Sequence, residues 1–155
     1  MRTPGRHIAL AIILLFLGCF SASYGQLTIR TGNISMTVTT GIAGGQPLPV
    51  TNSTISLRYA LQNRITKITV RTNCPGQRFN LAVVATSVPQ GTAAPQVSLI
   101  NGTLDVNLIV SIPPKPPNNN QTATLLYTAS TTFAQGNSAE LGNDVHTVTY
   151  TLIDQ

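Results

Sequence analysis

The sequence predicts an all-β protein: a single antiparallel immunoglobulin-like β-sandwich of about seven or eight strands that follows an N-terminal signal peptide. Three observations predict this fold class. Apolar and polar residues alternate with a period of two along most of the chain, and no stretch shows a convincing helical period. Prolines fall between the alternating runs, where they interrupt no central strand. The runs recur at intervals of roughly 8–15 residues, as in sandwiches and barrels. A closed barrel is the alternative.

The first 25 residues have the composition of a secretory signal peptide. Arg2 and Arg6 precede an apolar run at 8–17. This run is shorter than the about 20 apolar residues that a membrane-spanning helix needs. The small residues Ser23 and Gly25, on either side of Tyr24, offer a cleavage site, so we expect the exported chain to begin at Gln26.

One cysteine of this leader leaves a second outcome open. Cys19 follows Gly18, as in a loosely matched lipobox, so attachment of lipid at Cys19 is the alternative to ordinary cleavage. In either case we expect an exported protein that is periplasmic, extracellular or at the cell surface. Residues 26–155 have the length of one domain and no further membrane-spanning segment is predicted in them.

The expected exported chain carries little charge. Residues 26–155 contain seven basic and four acidic side chains, and charged residues make up 8% of the whole chain, against about a quarter in typical proteins. Thr, Asn, Ser and Gln supply the polarity instead. Such a neutral, hydrogen-bonding surface suits a secreted β-protein or an assembly subunit, and it offers few titratable groups for catalysis.

The strand predictions rest on five alternating runs, with less regular strands at 34–38, 68–70 and 97–100. Asn101-Gly102 predicts a type I′ hairpin turn. In the run at 104–112 only Ile109 interrupts the polar face. The residues expected to face the core are Ile55, Leu57, Tyr59 and Leu61; Phe79, Leu81, Val83 and Ala85; Leu104, Val106, Leu108, Val110 and Ile112; Ala123, Leu125, Tyr127, Ala129, Thr131 and Phe133; and Val148, Tyr150 and Leu152.

Candidate catalytic and metal-binding residues are few. Residues 26–155 contain one cysteine, Cys74, which is either a quiet buried thiol or the site of an intermolecular disulfide. Asp144 and His146 share one strand face at i and i+2, but no nucleophile is placed against them by spacing, so no catalytic residue is predicted. Zinc requires several ligands at suitable spacing, and Cys74 and His146 are far apart in the chain. The oxygens around Asp144 follow no calcium pattern. We therefore predict no metal and no cofactor.

The basic residues are concentrated in one part of the chain. Lys67 and Arg71 have the same parity and are expected to point outward from one strand, opposite the apolar Ile68 and Val70. Such a patch would bind an anionic glycan or a lipid headgroup. It lacks the interleaved aromatic residues that a single-stranded nucleic acid would require, and a solvated sheet face is the plain alternative. The candidate patch comprises Arg58, Arg64, Lys67, Arg71 and Arg78.

The end of the chain resembles a known group of proteins. Residues 125–129 and 142–152 resemble the ends of bacterial fimbrial subunits and spore-coat-U-like secreted domains, which also finish with a Gly/Asp turn and a strand of alternating Thr, Val and Tyr. The resemblance implies an immunoglobulin-like sandwich that is used in surface fibres.

Together these features predict a non-enzymatic, secreted or cell-surface structural protein. It would act as a fibre, coat or adhesion subunit through contacts with other protein subunits, because alternating strands can extend the sheet of a neighbour. The segment 27–38 is the candidate exchanged strand, or else the first strand of its own sandwich. An envelope- or carbohydrate-binding module that uses the basic patch is the alternative function, and an enzyme that depends on His146 is a third. The apolar residues of the segment are Leu27, Ile29, Ile34, Met36 and Val38.

Overall fold

The computed structural model describes residues 26–39, 41, 43–114, 119–135 and 138–155, without the side chains of 138–139. The predicted signal peptide and its Cys19 lie outside the described residues. This part of the chain is all-β, and none of its helices is long and apolar enough to cross a membrane. It forms nine strands: β1 Leu27–Arg30, β2 Val50–Ala60, β3 Thr66–Asn73, β4 Asn80–Thr86, β5 Thr92–Ala93, β6 Val97–Ser98, β7 Val106–Ile112, β8 Asn120–Ser130 and β9 Thr147–Asp154. A 3₁₀ turn at Phe133–Gln135 and the short helix α1 Ser138–Leu141 connect β8 to β9.

The strands form two antiparallel sheets. The larger sheet has the order β1-β2-β8-β4-β6, and the smaller has the order β5-β7-β3-β9. On one side of the molecule β1 contacts β9, and on the other β4 and β6 contact β7. Each sheet ends in two edge strands, so the described residues form two open sheets and no closed barrel.

Side chains from both sheets form one apolar core, as the period-two pattern predicts for most of four of the five runs. The run at 123–133 departs from the prediction at its end, because β8 stops at Ser130 and Phe133 is 64% exposed in the 3₁₀ turn. The inward positions of β2, β4 and β8 alternate with outward ones, which are mostly polar in β2 and β8 and include Ala82 and Val84 in β4, and this alternation is why the three strands could be placed from sequence. Burying one Leu or Ile side chain of this core contributes about 1.5–3 kcal/mol to stability. Fully buried members include Leu57, Tyr59, Ile68, Val83, Ala123 and Leu125, while Val148, Tyr150 and Leu152 of β9 are partly buried against them.

The run at 104–112 is only partly as predicted. Leu108 is fully buried, whereas Leu104 is 89% exposed. The register between β3 and β7 shifts twice, and Ser111 adopts a φ of 53°. These β-bulges place extra residues in β7, so that Leu108 and its neighbour Ile109 are both buried. The bulges thus account for the one apolar residue that interrupts the polar face.

The predicted strand at 34–38 is not formed. β1 ends at Arg30, and Thr31 has a φ of 74°, a left-handed conformation that is rare for a β-branched residue. Ile34 and Met36 are nevertheless partly buried against the core. The alternation in this stretch therefore reflects packing against the core without strand pairing.

The turn at Asn101-Gly102 also differs from the prediction. Only Gly102 has a positive φ, 77°, whereas a type I′ turn needs two such residues. The Thr103 backbone N–H donates to the Ile100 carbonyl at 3.2 Å. Because β6 belongs to the larger sheet and β7 to the smaller one, the turn carries the chain between sheets and closes no hairpin.

Candidate functional site

The structure divides the predicted basic patch between the two sheets. Arg58 lies on β2 of the larger sheet and points away from the core, between the buried Leu57 and Tyr59. Lys67 and Arg71 lie on β3 of the smaller sheet, and they also alternate with core residues. Outward side chains of two packed sheets point to opposite sides of the molecule. These three cations therefore do not form one surface.

Three of the basic residues also have polar partners. Arg64 Nη1 lies 2.8 Å from Asp154 Oδ2, and Arg71 Nε lies 3.6 Å from Asp105 Oδ1. Arg78 donates through Nη1 to the backbone carbonyl at 141. Both ion pairs are largely exposed and contribute little to stability. They do weaken the positive field that an anionic glycan would meet, so the alternative function gains no support from the placement of these residues.

Only the first part of the segment proposed for strand exchange, Leu27–Arg30, pairs within its own chain. Leu27 lies opposite Tyr59 and Ile29 opposite Leu57 in the β1–β2 ladder. Ile29 is 47% exposed, although its partner Leu57 is fully buried. Val38 is half-buried. The core is therefore less well covered at the β1 edge than at the centre of the larger sheet.

The smaller sheet ends in a long, regular edge strand. All eight residues of β9 pair with β3, without a register shift, from Thr147 opposite Asn73 to Asp154 opposite Thr66. Among the described residues no other strand pairs with the outer edge of β9. Thr147 and Thr149 are exposed, and the strand contains no Lys and no Pro. A row of outward N–H and C=O groups is therefore available along β9.

The only thiol and imidazole of the described residues lie together at one end of the β3–β9 pair. Because Asn73 is opposite Thr147, the next opposed pair is Cys74 and His146. Asp144 lies two residues further along. Ligand-capable atoms of Cys74, Asp144 and His146 all lie within 4.8 Å of one another, and these three residues are called the Cys74 cluster below. Cys74 is 1% exposed and the other two are half-buried.

Neighbouring groups hold two members of the cluster in place. Thr72 lies two residues before Cys74, and its Oγ1 is 3.1 Å from His146 Nδ1. Asp144 Oδ2 accepts hydrogen bonds from the backbone N–H groups at 78 and 79, at 2.9 and 2.7 Å. These contacts fix the imidazole and one carboxylate oxygen. His146 Nε2 and Asp144 Oδ1 are the atoms that remain for a further ligand.

The electrostatics of the cluster do not favour a nucleophilic cysteine. Burial raises the pKa of the Cys74 thiol, the charge of Asp144 raises it further, and a hydrogen bond with the Val145 backbone opposes them. Burial lowers the pKa of His146, with Asp144 acting in the opposite direction. Reactive cysteines instead have a lowered pKa beside a cationic group. The thiol therefore stays protonated beside a neutral imidazole, and a disulfide to another chain would need this end of the molecule to open first.

Sequence reasoning identified two members of the cluster but separated the third from them. Asp144 and His146 lie close together, but both precede β9, which begins at Thr147, so the shared strand face that was expected for them is not formed. Cys74 and His146 are far apart in the chain, and the antiparallel pairing of β3 and β9 brings them together. Alternation within each run gives no information on which strands pair. The only sequence feature that could have pointed to the cluster is that residues 26–155 contain a single Cys and a single His.

Comparisons of the chain with protein-family models, with curated proteins and with solved structures find no match. The resemblance of 125–129 and 142–152 to fimbrial and spore-coat-U-like domains therefore stays a prediction, as do export and the lack of enzymatic activity. The features that bear on function are the outer edge of β9, the divided basic residues and the Cys74 cluster.

Proposed function

We propose that this protein is an exported structural subunit with an immunoglobulin-like β-sandwich fold, which assembles with further copies of itself through the outer edge of β9. The two antiparallel sheets around a common core support the sandwich fold. The long unprotected edge of β9 is the observation that supports assembly. Few titratable groups and a Thr-rich surface agree with a structural rather than an enzymatic role.

The four sheet edges differ in how well they can accept another strand. β5 and β6 are edges of two residues each, too short to pair extensively. β1 has four residues, and its last one, Arg30, is charged. β9 has eight residues and no bulge. Natural proteins protect edges by shortening, charging or bulging them, so β9 is the edge left open to a partner.

The chemistry of β9 suits addition of a strand. Its only charged residue, Asp154, is the last one of the strand and pairs with Arg64 of the same chain. Alternate Thr residues provide a β-favouring, uncharged outer face. A partner strand would gain main-chain hydrogen bonds along most of the edge. Because β1 contacts β9, apolar side chains of the partner strand would also gain contacts with the half-exposed Ile29.

An assembly experiment tests this proposal. We expect the protein purified from full-length expression to form oligomers whose mass by light scattering rises with concentration. Thr149→Glu places a charge at an exposed position of the β9 edge strand. The substitution should raise the concentration needed for half-assembly by roughly fivefold, because a charge on an edge strand opposes pairing.

Asn73→Glu is the matched control, because it adds the same charge to the same sheet on the inner strand β3. It should leave assembly unchanged. A wild-type protein that stays monomeric at every concentration would overturn the proposal, and so would equal weakening of assembly by both substitutions.

A further inference from the structure

Three rare donor groups converge in the described part of the chain. The single thiol, the single imidazole and one of four carboxylates of residues 26–155 meet at the end of the β3–β9 pair, although Cys74 is distant in sequence from the other two. We propose that Cys74, Asp144 and His146 bind a thiophilic divalent transition metal, Zn²⁺ in the first instance. This site does not depend on the proposed assembly through the outer edge of β9.

The donor set matches the chemistry of zinc. Proteins bind Zn²⁺ through Cys sulfur, His nitrogen and Asp oxygen, and sites with three protein ligands keep the fourth tetrahedral position for water. Ligand atoms around such an ion lie roughly 3.5 Å apart. In this structure the candidate atoms are already within 4.8 Å of one another, so small side-chain rotations would complete the arrangement. A sulfur ligand disfavours Ca²⁺ and Mg²⁺, which take oxygen ligands.

The contacts around the cluster resemble the outer shell that orients metal ligands. Thr72 Oγ1 engages His146 Nδ1, so Nε2 is the ring nitrogen that would coordinate the metal. The two backbone N–H groups that bind Asp144 Oδ2 hold the carboxylate and leave Oδ1 to coordinate. On the other side of Cys74, its backbone N–H donates to Asn101 Oδ1 at 2.8 Å. All three ligands are therefore held by the fold before a metal arrives.

Charge balance also supports a divalent ion. Cys74 would bind as the thiolate, with its proton released to solvent, and its charge together with that of Asp144 would neutralise a 2+ ion. A shallow surface depression lined by Pro75, Gly76 and Asn143 reaches Asp144 and provides a route from solvent.

A bound metal would fasten the beginning of β9 to the end of β3. Cys74 follows the last residue of β3, and His146 precedes the first residue of β9. Binding to the folded but not the unfolded chain stabilises the fold in proportion to the logarithm of metal concentration. The edge strand that we propose for assembly would then be held in register at its start.

Metal titration of the protein purified from full-length expression, without a polyhistidine tag, tests the site. We expect Zn²⁺ at a hundredfold excess over its dissociation constant to raise Tm by about 5–10 °C relative to EDTA. Co²⁺ should give a thiolate-to-cobalt charge-transfer band and the visible absorption of a four-coordinate ion. Cys74→Ala and His146→Gln should each remove the Tm shift or weaken Zn²⁺ binding at least tenfold.

Asp154→Asn is the control, because it removes a carboxylate from the far end of the β9 strand and should leave the Zn²⁺ response intact. Two results would overturn the site: no Tm shift and no charge-transfer band in the wild type, or a Zn²⁺ response that His146→Gln retains in full. If Cys74→Ala does not fold, the cobalt spectrum of the wild type and the His146→Gln titration still decide between these outcomes.

Discussion

At Gly91 the packing leaves no room for a side chain. Its φ is 96°, and a Cβ atom there would lie 2.9 Å from both the Val110 carbonyl oxygen and Ile112 Cγ1. We expect Gly91→Ala to lower the free energy of unfolding by about 3 kcal/mol, since a left-handed alanine costs ~1–2 kcal/mol and overpacking adds ~1–3 kcal/mol. Urea unfolding monitored by circular dichroism measures the change.

Gly102→Ala separates the two causes of that loss. Gly102 has a φ of 77°, but a Cβ atom there would meet nothing within 4 Å. The control should therefore lose only the backbone contribution, about 1 kcal/mol. Equal losses at the two glycines would show that the contact of residue 91 with β7 contributes nothing.

At the scale of the elements, one hydroxyl pair joins β8 to β9 across the two sheets. The hydroxyls of Tyr127 and Tyr150 are hydrogen-bonded to each other, and both rings are largely buried. We expect Tyr150→Phe to cost about 1–2 kcal/mol, because the Tyr127 hydroxyl is then left buried without this partner. The double variant with Tyr127→Phe should cost less than the sum of the single changes, as a denaturant-based double-mutant cycle measures.

The Tyr127–Tyr150 pair also makes the stability of the fold depend on pH. Burial raises the pKa of both phenols, and the pKa of Tyr150 lies well above its ordinary range. The unfolded chain releases these protons near pH 10, whereas the folded chain retains them, so stability falls as pH rises above about 10. This alkaline decline should be smaller in Tyr150→Phe. An unchanged decline, or strictly additive single losses, would mean that the two hydroxyls are not energetically coupled.

The elements also show which parts of the structure could be predicted from sequence. Regular alternation placed β2, β4 and β8 correctly, because each buries one face against the core. It failed where the backbone leaves the regular pleat at residues other than glycine, as at Thr31 and Ser111. Residue type gives no warning of such positions. The Cys74 cluster was missed for a different reason, since it depends on which strands pair, and alternation within a single strand carries no information about its partner.

For the whole molecule, β9 combines three roles that the sequence shows only separately. Its outer edge is the proposed assembly surface, its beginning adjoins the Cys74 cluster, and Tyr150 in its middle reaches across to the larger sheet. An edge strand that pairs with another copy has to remain paired with its own sheet when that copy binds. The cluster at one end, the phenol pair in the middle and the Arg64–Asp154 ion pair at the other end anchor β9 along its length.

The predicted export concerns the whole molecule, because it would decide in which compartment these surfaces act. We expect intact mass spectrometry of the protein, expressed from its full-length chain, to give the mass of a chain that begins at Gln26. Leu14→Arg places a charge inside the apolar run at 8–17 and should abolish export, because that run must enter an apolar environment to be recognised. Ser21→Thr, outside the run, is the control. A chain that begins at an acylated Cys19 would make the protein a tethered lipoprotein, whereas a chain that retains its leader in the cytoplasm would contradict export and, with it, assembly at the cell surface.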